Sequence, residues 1–205
     1  YDLPAGRLAT IVTSLEMRAS PATSAEQPVG GITDASSAGK AAGLVLSQWQ
    51  RPDLDAYRAL YRQIGEDWLW FGRLTAEDAD LANLLREPGL ELFLPQVDGE
   101  PVGLLEIDYT DKSNPELAYF GLVPGTVGTG LGHWLMGQAV DMVWSRPETK
   151  RFWVHTCTGD SPQALGFYRA SGFQPYKLAI EVADDPRAAG LLPTDKGPHV
   201  PFLAK

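Results

Sequence analysis

Three closely spaced glycines form a turn that could bind an anion. Gly128, Gly130 and Gly132 follow a short apolar run, Leu117–Val123, whose end is marked by Pro124. An apolar residue then recurs at every fourth position, which predicts a helix with one buried side. These residues are Leu131, Leu135, Ala139 and Val143. The first N–H groups of a helix lack intrahelical partners, and glycines let an anion approach the main chain. The pattern therefore predicts a phosphate-binding turn between a strand and a helix.

Two other glycine turns do not fit these residues. A P-loop needs a Lys directly after its last glycine, and no Lys follows Gly128, Gly130 or Gly132. A dinucleotide-binding turn needs the spacing GxGxxG, whereas these glycines are spaced GxGxG. We therefore expect neither nucleoside triphosphate hydrolysis nor dinucleotide binding.

The spacing resembles the phosphate-binding motif of the GNAT superfamily, the acyl-CoA-dependent N-acetyltransferases. That motif is Gln or Arg, two residues, Gly, one residue, then Gly or Ala, and it aligns with Val127–Gly132. Val127 replaces the usual Gln or Arg, so a pyrophosphate contact there must come from the main chain. The resemblance implies a CoA-binding set made of Val127, Gly128, Thr129, Gly130, Leu131, Gly132 and His133. The N–H groups of Leu122 and Val123 would polarise the acyl carbonyl and pair with the pantetheine amides.

A second segment, Ser161–Phe173, is similar to the motif in which a Tyr of the same family reaches the acyl-CoA sulfur. Ser161 stands where the family has Asn, and we include it among the CoA-binding residues. Five residues match in register: Ala164, Phe167, Tyr168, Gly172 and Phe173. The resemblance implies that Tyr168 protonates the departing thiolate.

The order of predicted elements, together with the resemblance, predicts an α/β fold of GNAT type. We expect a mixed, mostly antiparallel sheet with splayed central strands and helices on both faces. Residues 44–182 would form the acetyltransferase domain. Residues 1–43 would form an appended strand and long loop, the loop over residues 18–39, and residues 183–205 an irregular tail.

Turn and cap residues locate several elements. Asp98-Gly99 predicts a hairpin between two strands. Thr75 with Asp78 is typical of a capping box at a helix start. Asp160, Ser161 and Pro162 predict the start of the helix that carries Tyr168.

Composition limits the possible ligands. The net charge of -9 and pI near 4.8 disfavour nucleic acid and suit a cationic amine. The single cysteine, Cys157, and the spacing of His133, His155 and His199 predict no metal site. Apolar runs stay well below about 18 residues, so we expect no membrane association. We expect a cytoplasmic protein. Its oligomeric state is expected to be a monomer or a homodimer.

The acceptor amine must lose a proton before it attacks, which requires a base. Glu106 matches a family carboxylate and is our candidate, with Asp108, Glu116 and His155 as alternatives. Each of these is also compatible with a solvated strand-edge role.

Trp68 and Trp70 are expected to line the acceptor pocket, together with Asp108 and Glu116. The two tryptophans are equally compatible with simple burial of apolar area.

These residues predict an enzyme that moves an acetyl group from acetyl-CoA to a primary amine by direct attack in a ternary complex. The acceptor is left open, from small molecules to peptide N-termini. The alternative is a non-catalytic acyl-CoA-binding or regulatory domain, which Val127 and Ser161 favour and which Tyr168 and Glu106 disfavour.

Overall fold

The computed structural model describes residues 2–21 and 43–204. The long loop predicted over residues 18–39 therefore lies largely outside the described residues. No helix in the described ranges has the length and apolar character needed to cross a membrane.

The described residues form one open sheet of eight strands. The strands are β1 (Arg7–Met17), β2 (Leu44–Gln48), β3 (Leu90–Val97), β4 (Glu100–Pro101), β5 (Gly103–Asp108), β6 (Glu116–Leu122), β7 (Phe152–Cys157) and β8 (Gln174–Asp184). Their order is β2-β3-β5-β6-β7-β1-β8, with β4 paired to β3. Among the described strands, only β6 and β7 are parallel neighbours. This arrangement confirms the predicted mixed, mostly antiparallel sheet.

Helices connect these strands. In the described ranges they are α1 (Leu54–Gly65), α2 (Gly72–Thr75), α3 (Asp78–Leu84), α4 (Leu131–Trp144) and α5 (Ala164–Ala170), with a 3-10 turn at Glu66–Trp68. Asp53 caps α1, because its side chain accepts hydrogen bonds from the N–H groups of Asp55 and Ala56, both at 3.1 Å.

Two apolar cores cover the two faces of the sheet. Leu104 and Leu105 are adjacent in β5 and both fully buried, so they point to opposite faces. Leu104 packs in the core that contains Tyr57 of α1, whereas Leu105 packs in the core that contains Leu135 of α4. Helices therefore lie on both faces, as the sequence predicts.

β1 is an interior strand. It pairs with β7 through Val12 and Cys157, and with β8 through Ile11 and Ile180. The sequence placed this strand outside the region of family resemblance and did not predict its position. Because β1 separates β7 from β8, the last strand is attached to the sheet only through the N-terminal segment.

Candidate functional site

The central parallel strands diverge. β6 and β7 pair only at Glu116–Trp153 and Leu117–Val154. Beyond these positions the strands separate, and a cavity of about 660 Å³ lies in the opening. A register shift between β5 and β6 opposite Ala118 marks the point where β6 turns away. The predicted opening between the central strands is therefore present.

Backbone N–H groups of β6 face this opening. The Val123 N–H donates to Val102 O at 3.0 Å, on the β5 side. Backbone direction alternates along a strand, so Gly121 also points toward β5, whereas Phe120 and Leu122 point into the opening. The Leu122 N–H is therefore directed into the opening, and its contact with a ligand carbonyl stays a prediction. The Val123 N–H is already engaged and is not available for that role.

The glycine turn forms one end of the cavity. Gly128 and Gly130 have φ values of 85° and 87°, in the left-handed region that side chains disfavour. Gly130 is the N-cap of α4, which runs for 14 residues. Five residues of the turn line the cavity: Val127, Gly128, Gly130, Gly132 and His133. A phosphate group here would meet the positive end of a helix.

Two residues of the predicted CoA-binding set have other partners. Thr129 Oγ1 donates to Thr126 O at 2.7 Å, which closes the turn. Leu131 is 6% exposed and packs in the apolar core. Neither side chain lines the cavity, so only their backbone groups could meet a ligand. Ser161 does line the cavity, and its hydroxyl donates to Gln163 Oε1 at 2.6 Å.

Tyr168 lies in the cavity wall and is 8% exposed. Three rings pack edge-on around it: Phe120, Phe167 and Phe173, with centroids at 6.5, 5.8 and 6.1 Å. Burial raises the pKa of its hydroxyl above the ordinary tyrosine value, and the nearby Asp160 charge raises it further. The hydroxyl therefore stays protonated near neutral pH and can donate a proton.

Asp160 is a cavity residue that the sequence assigned only to a helix start. It lies shortly after the end of β7 and lines the opening. Its Oδ1 accepts from Trp70 Nε1 at 3.1 Å. Its Oδ2 accepts from Thr156 Oγ1 at 2.7 Å and from the Cys157 N–H at 2.8 Å. Three donors thus hold a carboxylate in place at the end of the strand.

Glu106 occupies a different environment from the predicted one. It is fully buried, and it does not line the cavity. One oxygen accepts a short hydrogen bond from the Tyr57 hydroxyl, and the other accepts from Arg73 at 2.9 Å. Burial and the Glu106 charge raise the Tyr57 pKa well above its ordinary value. Because Glu106 is fully buried and lies outside the cavity wall, it offers neither oxygen to a ligand in the cavity.

The other carboxylates from the sequence also have partners. Asp108 lies at the far end of β5 and accepts from the Thr110 N–H at 2.7 Å, so it serves a turn and not the cavity. Glu116 contacts the cavity only through His155, whose Nδ1 lies 2.9 Å from Glu116 Oε1. The hydrogen bond with Glu116 raises the His155 pKa.

Trp68 and Trp70, which we expected at an acceptor pocket, both line the cavity. Trp70 packs against Tyr61 and Tyr119, with ring centroids at 5.4 and 5.1 Å. Trp68 packs against His199, with their ring centroids 5.8 Å apart. This part of the cavity wall is therefore aromatic, and the C-terminal segment supports it through His199.

Sequence comparison decides the family. The chain matches the acetyltransferase (GNAT) family over residues 47–173, which is more than half of its length. The protein belongs to the GNAT family. No curated protein matches the chain at a significant level.

Solved structures share the GNAT fold at low sequence identity. An acetyltransferase from Thermus thermophilus has a TM-score of 0.53 and 20% identity, over 70% of this chain and 97% of that one. A functionally unknown conserved protein from Staphylococcus epidermidis has a TM-score of 0.55 and 13% identity. It matches 88% of this chain, which spans only 63% of that protein.

A third structure has a bound ligand. An aminoglycoside acetyltransferase from an uncultured soil metagenomic sample, in complex with sisomicin, has a TM-score of 0.50 and 18% identity. It matches 63% of this chain, which covers 87% of that one. At these identities the comparisons show a shared GNAT fold.

The comparisons and the cavity support acyl transfer without indicating a metal. Within residues 2–21 and 43–204, His, Cys, Asp and Glu side chains form no group of three that could hold a metal ion. The residues that sequence analysis missed are Asp160 and Glu181, both in the cavity wall. Asp160 could have been predicted, because it follows the end of β7, whose parallel neighbour β6 leads into the glycine turn. Glu181 had no such signal, since its place depends on the unpredicted neighbour β1.

Proposed function

We propose that this GNAT protein transfers an acetyl group from acetyl-CoA to a primary amine by direct attack in a ternary complex. The observation that carries the proposal is the opening between β6 and β7, which joins a glycine turn at a helix N-terminus to the protonated hydroxyl of Tyr168. An acyl-CoA needs this combination, because its pyrophosphate and its thioester must be held at once.

The glycine turn suits the pyrophosphate. The first N–H groups of α4 lack intrahelical acceptors, and Gly128 leaves room for a large anion because nothing lies within 4 Å of a Cβ built there. Val127 contributes no charge, so we assign the contact to main-chain groups. The N–H groups of Leu122 and Phe120 suit the amides of pantetheine and the thioester carbonyl.

Tyr168 is proposed to supply the proton for the departing thiolate. The amine attacks the thioester carbon, the C–S bond breaks, and the sulfur takes the tyrosine proton. The amine proton that is lost leaves toward solvent, and the Tyr168 phenolate then takes a proton back from solvent. Because burial raises the pKa of Tyr168, the hydroxyl is protonated when the reaction begins.

Asp160 is proposed to take the role that the sequence gave to Glu106. Its carboxylate lies in the cavity beside Trp70, whereas Glu106 is enclosed by Tyr57 and Arg73. A carboxylate in this position attracts an ammonium group and helps to relay its proton. Glu181 adds a second acidic residue to the same cavity, so we propose a cationic small-molecule or peptide acceptor.

The test is release of CoA thiol from acetyl-CoA across a panel of polyamines, aminoglycosides, amino acids and peptide N-termini, with the acetylated product identified by mass. We expect turnover with cationic amines and little with neutral alcohols. Tight CoA binding without thiol release for any amine would instead support the non-catalytic acyl-CoA-binding alternative.

A further inference from the structure

The outer edge of β8 presents backbone hydrogen-bonding groups. In the part of the chain that the structure describes, β8 is the last strand of the sheet. The Asp185 N–H donates to Gly6 O at 3.0 Å, so odd-numbered residues of β8 direct their backbone groups toward β1. By alternation, Leu178, Ile180 and Val182 direct theirs outward. An edge of this kind can pair with another strand.

An apolar surface adjoins this edge. Leu178, Ile180 and Val182 are 70, 78 and 47% exposed, and Ile11 of β1, directly opposite Ile180, is 53% exposed. The four side chains share one face of the sheet. A contiguous group of exposed apolar side chains is typical of an interaction surface.

The sequence of β8 is complementary to itself when two copies run antiparallel about Ala179. Lys177 then lies opposite the partner's Glu181, and Leu178 lies opposite the partner's Ile180. Each pair occurs twice because of the two-fold symmetry. Opposite charges and paired apolar side chains are the cross-strand pairs that stabilise antiparallel sheets. A two-fold axis through Ala179 therefore pairs opposite charges on one face of the strand and apolar side chains on the other.

Some features of β8 are also typical of a protected edge. Pro175 has no N–H, and the register with β1 shifts at Tyr176. Both lie at the beginning of the strand, whereas the register from Lys177 to Asp184 is regular. Within the described residues, the central part of β8 that would pair across the axis therefore carries neither the proline nor the register shift.

We propose that two copies of this chain pair along β8, antiparallel about a two-fold axis at Ala179, to form one continuous sheet. Leu178 and the partner's Ile180 exchange backbone hydrogen bonds, and the reciprocal pair does the same. Glu181 also lines the cavity, so the dimer places the partner's Lys177 at the cavity rim.

The first test is a charge swap, read by sedimentation over a concentration series. The wild-type chain is expected to sediment as a dimer. Lys177→Glu and Glu181→Lys should each weaken the dimer by about tenfold or more, since two attractive pairs become repulsive. The double variant should restore dimerisation, because both pairs become attractive again. A monomeric wild type would overturn the proposal, as would a double variant weaker than either single variant.

The second test locates the axis. Facing Ala179 residues would form a non-hydrogen-bonded pair with Cα atoms about 4.5 Å apart, which suits a disulfide. Ala179→Cys should therefore give a covalent dimer on mild oxidation. Ala183→Cys is the matched control, since its two copies would lie about 27 Å apart at about 3.4 Å per residue. A dimer in which Ala179→Cys fails to cross-link, or in which both variants cross-link equally, would exclude the β8 axis. Circular dichroism of every variant confirms that the sheet is intact.

Discussion

At the scale of single residues, the Tyr168 hydroxyl carries the sharpest prediction. Tyr168→Phe keeps the ring inside its cage of three phenylalanines and removes only the proton donor. We expect kcat to fall by about a hundredfold while CoA affinity changes little, because general acid catalysis acts on the chemical step. Steady-state kinetics and calorimetry measure the two quantities. Wild-type turnover in the variant would leave Tyr168 as a packing residue.

Asp160 and Glu106 can be separated by paired amide variants. Asp160→Asn should lower kcat/KM for a cationic amine by about tenfold or more. The free energy of unfolding should fall by only about 1 kcal/mol, because the amide oxygen can keep the Thr156 and Cys157 donors and only Trp70 Nε1 loses its acceptor. Glu106→Gln should instead lower the free energy of unfolding by about 3 kcal/mol, because it leaves Arg73 without its buried partner. Urea unfolding and kinetics on both variants decide the assignment. The reverse pattern, with a stable Glu106→Gln protein that loses activity, would return the role of the base to Glu106.

Residue chemistry could be predicted only where a motif determined it. Tyr168 and the glycines lie in short motifs, and the structure places them around one cavity. The burial of Glu106 and its hydrogen bonds could not be predicted, because its partners Tyr57 and Arg73 lie 49 and 33 positions away in the sequence. A sequence pattern shows that a carboxylate is present, whereas tertiary contacts decide whether its oxygens are available.

At the scale of elements, the turn before α4 makes a prediction about CoA binding. Gly130→Val should abolish detectable CoA binding, because a branched side chain enters the turn that meets the pyrophosphate. Gly125→Val is a matched control: Gly125 has a similar φ of 91°, nothing lies within 4 Å of a Cβ built there, and it does not line the cavity. The control therefore carries the same backbone strain without blocking the ligand. If calorimetry finds equal CoA affinities for the two variants, the pyrophosphate does not bind at this turn.

Turn and cap residues predicted some boundaries of helices and strands correctly and others wrongly. Asp98-Gly99 does form the predicted hairpin turn, with φ values of 51° and 86° that suit it. Thr75 does not cap α3: its hydroxyl donates to Gly72 O at 3.1 Å, and Glu77 is the N-cap, without a side-chain hydrogen bond. The capping-box prediction was wrong because Thr75 ends the one-turn helix α2. The position of β1 in the sheet could likewise not be predicted from local pattern, since its partners lie at the opposite end of the chain.

At the scale of the whole molecule, a buried ion pair organises the C-terminal segment, residues 185–204. Arg187 and Asp185 side chains are 1 and 2% exposed and lie 2.8 Å apart. Arg187 also donates to carbonyl oxygens of Lys196, Gly197 and Val200. The same segment places His199 against Trp68 in the cavity wall. The C-terminal segment therefore supports the cavity wall from behind, through the contact of His199 with Trp68.

The last prediction concerns this ion pair and its pH dependence. Arg187→Met should lower the free energy of unfolding by about 3–5 kcal/mol, because it leaves Asp185 buried and unpaired. Lys196→Met is the control: its ion pairs with Glu66 and Asp67 are partly exposed, and we expect a much smaller loss of stability than for Arg187→Met. Burial would raise the Asp185 pKa, but hydrogen bonds from Arg187 outweigh it, and the pKa is lowered. A lowered folded pKa stabilises the protein above the unfolded value of about 3.9, and this stability is lost as pH falls through the folded value. Urea unfolding of wild type should therefore show a loss below about pH 4 that is absent from Arg187→Met. Equal acid sensitivity in the two proteins would assign the loss to other carboxylates.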